Sequence, residues 1–79
     1  MKLGTVKQVQ VGLVVELGRT VRNLDELSQL GAGSLVELDS ICGEPVNLLA
    51  GGVVIARGEV VVMGENFGLR VTQLVEEEP

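Results

Sequence analysis

The sequence predicts a small, mainly β domain with about five strands and one short helix. Its 79 residues make one domain, 1–79, near the lower size limit of chains that fold alone. Valine is abundant and favours strands. Over 5–17, apolar and polar residues alternate with the period of two that is typical of a strand. Phe67 is the only aromatic residue, so valine and leucine must build the interior.

The first strand is predicted at 5–17. Its continuous apolar face consists of Val9, Val11, Leu13, Val15 and Leu17. Gly18 is expected to bend or bulge the chain before an extended segment at 19–22.

A helix of about two turns is predicted next. Asn23 can cap its N-terminus, with Glu26 three positions on as a capping-box partner and Asp25 suited to the positive end. Gly31 is expected to end the helix in the left-handed conformation. The apolar side of the helix consists of Leu24, Leu27 and Leu30.

The second half of the chain is predicted to be strands joined by turns. Gly51 and Gly52 allow a type I′ hairpin turn between two β segments. The strands are predicted at 35–38, 46–49, 53–63 and 69–74, with a turn at 64–68. The acidic tail, 76–79, is predicted to be frayed.

Three consecutive valines, Val60 to Val62, lie in the longest predicted strand. Because successive side chains point to opposite faces, Val60 and Val62 share one face, and Val61 and Met63 share the other. Burial on both faces, within a sheet or a dimer, would explain the run; an exposed patch that binds another protein would also explain it. A chain of this size without a disulfide framework needs further burial, so we expect a dimer.

The charge of the chain argues against a nucleic-acid partner. The net charge is −5, and the six basic residues are scattered along the sequence. A swapped-hairpin DNA-binding dimer of the transition-regulator kind would need a basic face and is therefore disfavoured. Apolar runs are too short for a membrane span, and no signal-peptide pattern opens the chain, so a cytoplasmic location is expected.

No set of residues predicts an enzyme, a cofactor site or a metal site. The chain has no histidine. The loop at 31–33 begins like a dinucleotide fingerprint but lacks its third glycine, and a strand is predicted to follow it. The carboxylates of Glu37, Asp39 and Glu44 could gather around a cation, although solvated surface charge explains them better. Possible nucleophiles without an evident activating base are Thr5, Thr20, Ser28, Ser34, Ser40, Cys42 and Thr72. Cys42 is interpreted as a packed small hydrophobe.

Five ordered segments carry a resemblance to a known family. They are VELGRT at 15–20, GSLVELD at 33–39, GEPV at 43–46, IARGEVVV at 55–62 and FGLRVT at 67–72. Together they resemble the C-terminal domain of the flagellar motor switch proteins FliN and FliY. This is the SpoA (surface presentation of antigens) domain, which is shared with cytoplasmic-ring subunits of type III secretion systems. The resemblance spans roughly 9–75.

The resemblance implies a non-enzymatic ring subunit. It implies an intertwined, strand-exchanged homodimer in the flagellar C-ring, at the cytoplasmic face of the inner membrane, with a role in rotation switching and chemotaxis-linked motility. The implied partners are the switch proteins FliM and FliG and the export protein FliH, which would bind an apolar patch at Val60, Val61 and Val62. A ring subunit of a virulence-type secretion system is the alternative. FliN and FliY carry a further segment before this domain, and FliY also carries a phosphatase-like domain; because the given sequence starts close to the first predicted strand, either an excised domain or a short secretion-ring subunit is expected.

Overall fold

Four antiparallel strands form a single sheet in the computed structural model, which describes residues 8–75. The elements are β1 (Leu13–Glu16), α1 (Leu24–Ser28), β2 (Val46–Ala50), β3 (Val53–Met63) and β4 (Asn66–Leu74). The strands lie in the sheet in chain order, β1-β2-β3-β4. The predicted mainly β class with one short helix is therefore confirmed, whereas the described residues contain four strands and not five.

Two tight turns hold the three longest strands together. Gly51 and Gly52 join β2 to β3, and both have positive φ, 56° and 85°, as the predicted type I′ turn requires. Gly64, with φ of 64°, begins the two-residue turn between β3 and β4. The turn predicted at 64–68 is shorter than expected, because Asn66 to Gly68 already pair with β3.

Two bulges interrupt the ladders that β3 forms with β2 and with β4. Ile55 is the extra residue on β3 opposite β2, since Leu48 pairs with Ala56 and Leu49 with Val54. Thr72 is the extra residue on β4, and its Oγ1 donates to the carbonyl oxygen of Arg57 at 3.3 Å. Beyond the second bulge β3 and β4 continue as a two-stranded ribbon, because the pairing of β2 with β3 ends at Gly58.

The helix is confirmed at its start and differs at its end. The Asn23 side chain accepts a hydrogen bond from the Glu26 N–H at 2.9 Å, as predicted for an N-cap. The helix has five residues, and Gln29 caps its C-terminus: the Gln29 N–H donates to the Glu26 carbonyl and the Leu30 N–H donates to the Leu27 carbonyl, both at 3.2 Å. These short-range bonds close the last turn. The prediction that Gly31 ends the helix in the left-handed conformation is wrong, because Gly31 has no positive φ.

Two predicted strands also differ from the structure. Among the described residues the first strand is paired only over Leu13–Glu16, because its pairing partner β2 is only five residues long. The segment 35–38 is not a ladder strand, although it was predicted as one. Residues 5–7 of the first predicted strand and the predicted frayed tail, 76–79, lie outside the described residues.

The segment 18–40, here called the arm, leaves the sheet after β1 and returns before β2. Its base is closed by two reciprocal hydrogen bonds, both 2.8 Å long: Asp39 Oδ1 accepts from the Arg19 N–H, and the Asp39 N–H donates to the Arg19 carbonyl. Ser40 and Leu38 occupy the space where Gly18 would carry a Cβ, so this crossing requires glycine or a shift. The arm contains α1, which has no buried residue.

Few apolar side chains are buried in the part of the chain that the structure describes. Among the described residues, only Ala56 (1% exposed) and Leu49 (8% exposed) are buried hydrophobic residues. The accessible surface is 7230 Å², whereas a compact monomer of this mass exposes roughly 4,600 Å² by size scaling. The radius of gyration is 16.2 Å, against roughly 11.6 Å for a compact domain of this length. The fold therefore has an incomplete core.

Candidate protein-interaction site

One side of the sheet is apolar across all four strands. Paired residues in a ladder point to the same side, so the register defines the rows of this side from β1 to β4. We call this side the apolar face. It carries Leu13, Val15, Val46, Leu48, Ala50, Val53, Ala56, Gly58, Val60, Val62, Phe67, Leu69, Val71 and Leu74. No charged or polar side chain interrupts its paired rows.

The apolar face is uncovered where the ribbon leaves the sheet. Val60 pairs with Leu69, and Val62 pairs with Phe67. Val60 is 43% exposed, Val62 is 72% exposed and Phe67 is 83% exposed. An uncovered apolar area of this extent is typical of a protein–protein interface and not of the surface of a monomeric protein.

A groove deepens the apolar face between β1 and the ribbon. Its volume is about 330 Å³, and its walls are almost entirely apolar. The lining residues are Val15, Leu17, Val60, Phe67, Gly68 and Leu69. The groove has no group that could act as an acid, a base or a metal ligand, so it is suited to receive apolar side chains.

The arm contains a second, larger cavity, of about 710 Å³, between its outgoing segment, α1 and its returning segment. Leu27 and Leu30 of the helical region line it, with Leu35 and Val36 opposite. All four side chains are exposed. The arm thus presents a set of leucine and valine side chains that its own chain does not cover.

Polar contacts at the base of the arm fix where it starts. The Arg19 Nε donates to Glu16 Oε1 at 2.8 Å. This hydrogen bond, followed by the charges of Glu16 and Asp39, raises the pKa of Arg19 above its usual value, so Arg19 remains a cation at any physiological pH. A polar cleft of about 410 Å³ lies beside these residues and includes Ser40 and Asn47.

The opposite side of the ribbon is mixed in character. Glu59 pairs with Arg70, so opposite charges lie side by side. Val61 pairs with Gly68, and the Met63 side chain occupies the space where Gly68 would carry a Cβ. This side therefore has a small apolar centre, made by Val61 and Met63, next to a pair of opposite charges.

The structure thus separates the three valines of the predicted patch. Val60 and Val62 lie on the apolar face, and Val61 lies on the opposite side of the ribbon, as strand periodicity requires. Sequence reasoning missed the other residues of the groove, Val15, Leu17, Phe67 and Leu69. The apolar alternation at Val15 and Leu17 was visible in the sequence, but their proximity to the ribbon depends on the fold.

The residues considered for chemistry do not assemble into a reactive site. Within 8–75, no group of three or more histidine, cysteine or carboxylate residues is placed to hold a metal ion. Asp39 is engaged with the Arg19 backbone and not with Glu37 or Glu44. Cys42 is exposed, so its interpretation as a packed hydrophobe is wrong for this chain taken alone. None of the described helices has the length and hydrophobicity needed to cross a bilayer.

A family model decides the identity of this β domain. The model for the type III flagellar switch regulator (C-ring) FliN C-terminus matches residues 5–76. The chain belongs to the FliN C-terminal family. The resemblance drawn from the five sequence segments is therefore confirmed.

Individual relatives of the FliN C-terminal family agree with this assignment. The chain is 45% identical over 75 residues to the flagellar motor switch phosphatase FliY of Bacillus subtilis (strain 168), covering 95% of this chain and 20% of FliY. It is 44% identical over 70 residues to the flagellar motor switch protein FliN of Escherichia coli (strain K12), covering 89% of this chain and 51% of that protein. The chain therefore spans only a part of these relatives.

A solved structure agrees with the fold. The C-terminal domain of the HrcQb protein from Pseudomonas syringae pv. phaseolicola superposes with a TM-score of 0.75 at 32% identity. The match covers 86% of this chain and 94% of that domain. The fold of this chain is thus similar to that of a solved domain over most of both chains.

Proposed function

We propose that this chain is a structural, non-enzymatic subunit of the flagellar motor switch complex, the cytoplasmic C-ring, and that it works as a homodimer. The observation that carries the proposal is the uncovered apolar face, which extends over all four strands. The family description, a flagellar switch regulator of the C-ring, supplies the context. Rotation switching and chemotaxis-linked motility would then be properties of the assembled ring.

The area of exposed surface supports a second copy as the main partner. The chain exposes 7230 Å², roughly 2,600 Å² more than a compact monomer of its mass. Obligate homodimers bury about 2,000–5,000 Å² in total, which is roughly 1,000–2,500 Å² from each chain. The excess is therefore of the size that one large, obligate interface would remove.

The arm supports strand exchange as the form of that dimer. Segment 35–38 has three apolar residues out of four and joins no ladder of its own chain in the described structure. Its Leu35 side chain and the leucines of α1 are exposed. If the arm reaches across to a second copy, its apolar side chains and free backbone groups gain partners there. In an intertwined dimer, the apolar side chains and backbone groups of both arms would gain such partners.

The ring partners follow from the proposed place of the subunit. The switch proteins FliM and FliG would be its neighbours in the ring, and the export protein FliH would dock on the ribbon at the valine patch of Val60, Val61 and Val62. The ring would lie at the basal body, on the cytoplasmic face of the inner membrane. The net charge of −5 supports protein partners and argues against nucleic acid.

A structural role is also favoured over catalysis. The relative from Escherichia coli is named a motor switch protein, and FliY is named a switch phosphatase, but this chain spans only 20% of FliY. The residues that the chain shares with FliY therefore leave most of that protein unmatched. Many large apolar side chains are exposed in the described part of the chain, and no three histidine, cysteine or carboxylate groups lie together there as a metal site would require.

A cytoplasmic-ring subunit of a virulence-type type III secretion system is the alternative function. The likeness to the HrcQb domain fits this alternative. It would keep the same dimer and change only the ring partner. The two functions therefore differ in which assembly accepts the domain.

A domain exchange in Escherichia coli tests the flagellar function. We expect that FliN whose matching C-terminal segment is replaced by this chain restores flagella and swimming to a strain without FliN, because the two are 44% identical over 70 residues. Swim-plate diameter and flagellar staining measure the result. The control carries the same exchange with Gly58→Ala, whose new Cβ would collide with the Arg70 backbone. A chimera that accumulates as a dimer but builds no flagella would favour the secretion-ring alternative.

A further inference from the structure

We infer that Met63 is an oxidation site of the β3–β4 ribbon, at which a hydroperoxide converts the thioether to the sulfoxide and so removes the cover of Gly68. The Met63 side chain combines two properties: it is open to solvent, and it makes a packing contact across the ribbon. Oxidation therefore changes the contacts of the ribbon and not only the chemistry of one surface atom. The reaction requires neither a partner protein nor a second copy of the chain.

The Met63 side chain packs over Gly68 on the neighbouring strand. Met63 pairs with Asn66 in the ladder, so Gly68 is its diagonal neighbour and lies within reach of a long side chain. The Met63 Sδ and Cγ are the atoms nearest to the point where a Cβ of Gly68 would lie, and the Val61 Cγ2 is 3.6 Å from the same point. The thioether thus fills the gap that a residue without a side chain leaves in the ribbon.

The exposure of the residues around Met63 agrees with this contact. Val61 and Gly68 pair in the ladder next to Met63, and both are half-buried. The adjacent pair, Val62 and Phe67, points to the other side of the ribbon and is 72% and 83% exposed. Met63 itself is 64% exposed. A small oxidant can therefore reach Met63 from solvent, while the residues beneath it are partly shielded.

The reaction transfers one oxygen atom from the hydroperoxide to Met63. A lone pair of Sδ attacks the terminal peroxide oxygen, the S–O bond forms as the O–O bond breaks, and the proton of the transferred oxygen passes to the departing oxygen. The thioether is oxidised to the sulfoxide, and the hydroperoxide is reduced to an alcohol, or to water if it is hydrogen peroxide. The sulfoxide is polar, and packing it against Gly68 and Val61 without a hydrogen bond is unfavourable. The oxidised side chain is therefore expected to turn into solvent.

Treatment of the full chain with hydrogen peroxide, followed by amide hydrogen exchange, tests the site. Met1 is the only other methionine, so peptide mass mapping assigns the added oxygen to one residue. We expect Met63 to be oxidised at a rate within about fivefold of that of a methionine dipeptide in the same sample. Exchange of the amides in 61–68 is expected to become about two- to fivefold faster, because one cross-strand side-chain contact is lost. Exchange in β1 is expected to stay unchanged, and a methionine sulfoxide reductase is expected to restore the original rates.

Two variants separate the oxidation from its structural effect. Met63→Leu keeps an apolar side chain over Gly68 but has no sulfur, so we expect its exchange to match that of the untreated chain and not to respond to peroxide. Met63→Gln places a polar group there, so we expect it to exchange in 61–68 like the oxidised chain without any treatment. Protection of Met63 from peroxide by more than about tenfold, or unchanged exchange in 61–68 after complete oxidation, would overturn the inference. Faster exchange throughout the chain would also overturn it, because the effect would then be global unfolding and not the loss of one contact.

Discussion

Val60→Asp is expected to abolish the homodimer. Val60 lies at the junction of the groove and the ribbon, on the apolar face that a second copy would cover. An aspartate there would place a carboxylate in an apolar interface without a partner, at a cost of several kcal/mol. A loss of about 4 kcal/mol weakens association by roughly 1,000-fold. Sedimentation of the variant at a concentration that keeps the unmodified chain dimeric measures the effect.

The matched control is the same substitution one residue further along. Val61→Asp introduces the same charge on the same strand but on the opposite side of the ribbon, next to Gly68. It is expected to leave the sedimenting mass unchanged. Equal dimer stability of the two variants would contradict the idea that the apolar face is the dimer interface.

Val61→Asp is expected to lose the export partner while it keeps the dimer. The substitution places a charge in the valine patch proposed for FliH, next to Glu59, so the partner loses an apolar contact and meets a second negative group. Central interface residues cost about 2 kcal/mol or more when they are disrupted, which corresponds to at least about 30-fold weaker binding. Titration of purified FliH with the variant and with the unmodified dimer measures the loss.

A matched substitution separates docking from general surface charge. Glu65→Gln lies in the turn between β3 and β4 and changes one charge outside the valine patch. We expect it to bind FliH as the unmodified chain does. If Val61→Asp dimers bind with unchanged affinity, Val61 is not the docking residue.

Sequence reasoning succeeded where local chemistry decides the structure. β3 was predicted with its bounds, Val53–Met63, because Gly51 and Gly52 fix one end and Gly64 fixes the other. The start of α1 was predicted because Asn23 can satisfy a free backbone N–H by itself. In these places residues that are adjacent in sequence determine the conformation.

Sequence reasoning failed where the conformation of a segment depends on pairing with a distant part of the chain. Segment 35–38 has the apolar composition of a short strand, but no strand of its own chain lies beside it in a ladder. The first strand is paired over only four residues in the described structure, because β2 is short. Alternation specifies which sides of a segment are apolar and does not specify the segment with which it pairs.

The candidate site shows the same division. Strand periodicity alone placed Val61 opposite Val60 and Val62. The bulges at Ile55 and Thr72 could not be located from the sequence, and they determine how the rows of the apolar face connect from β2 to β4. The position of Met63 over Gly68 likewise required the register. The existence of the valine patch was therefore predictable, and its assignment to two surfaces was not.

We expect a second copy to complete the core of this chain. Sedimentation equilibrium of the unmodified chain at low micromolar concentration measures this, with circular dichroism on the same sample to verify folding. A homodimer has twice the chain mass of 8.3 kDa, and its dissociation on dilution is accompanied by unfolding. A folded, compact species at 8.3 kDa would show that the chain needs no second copy.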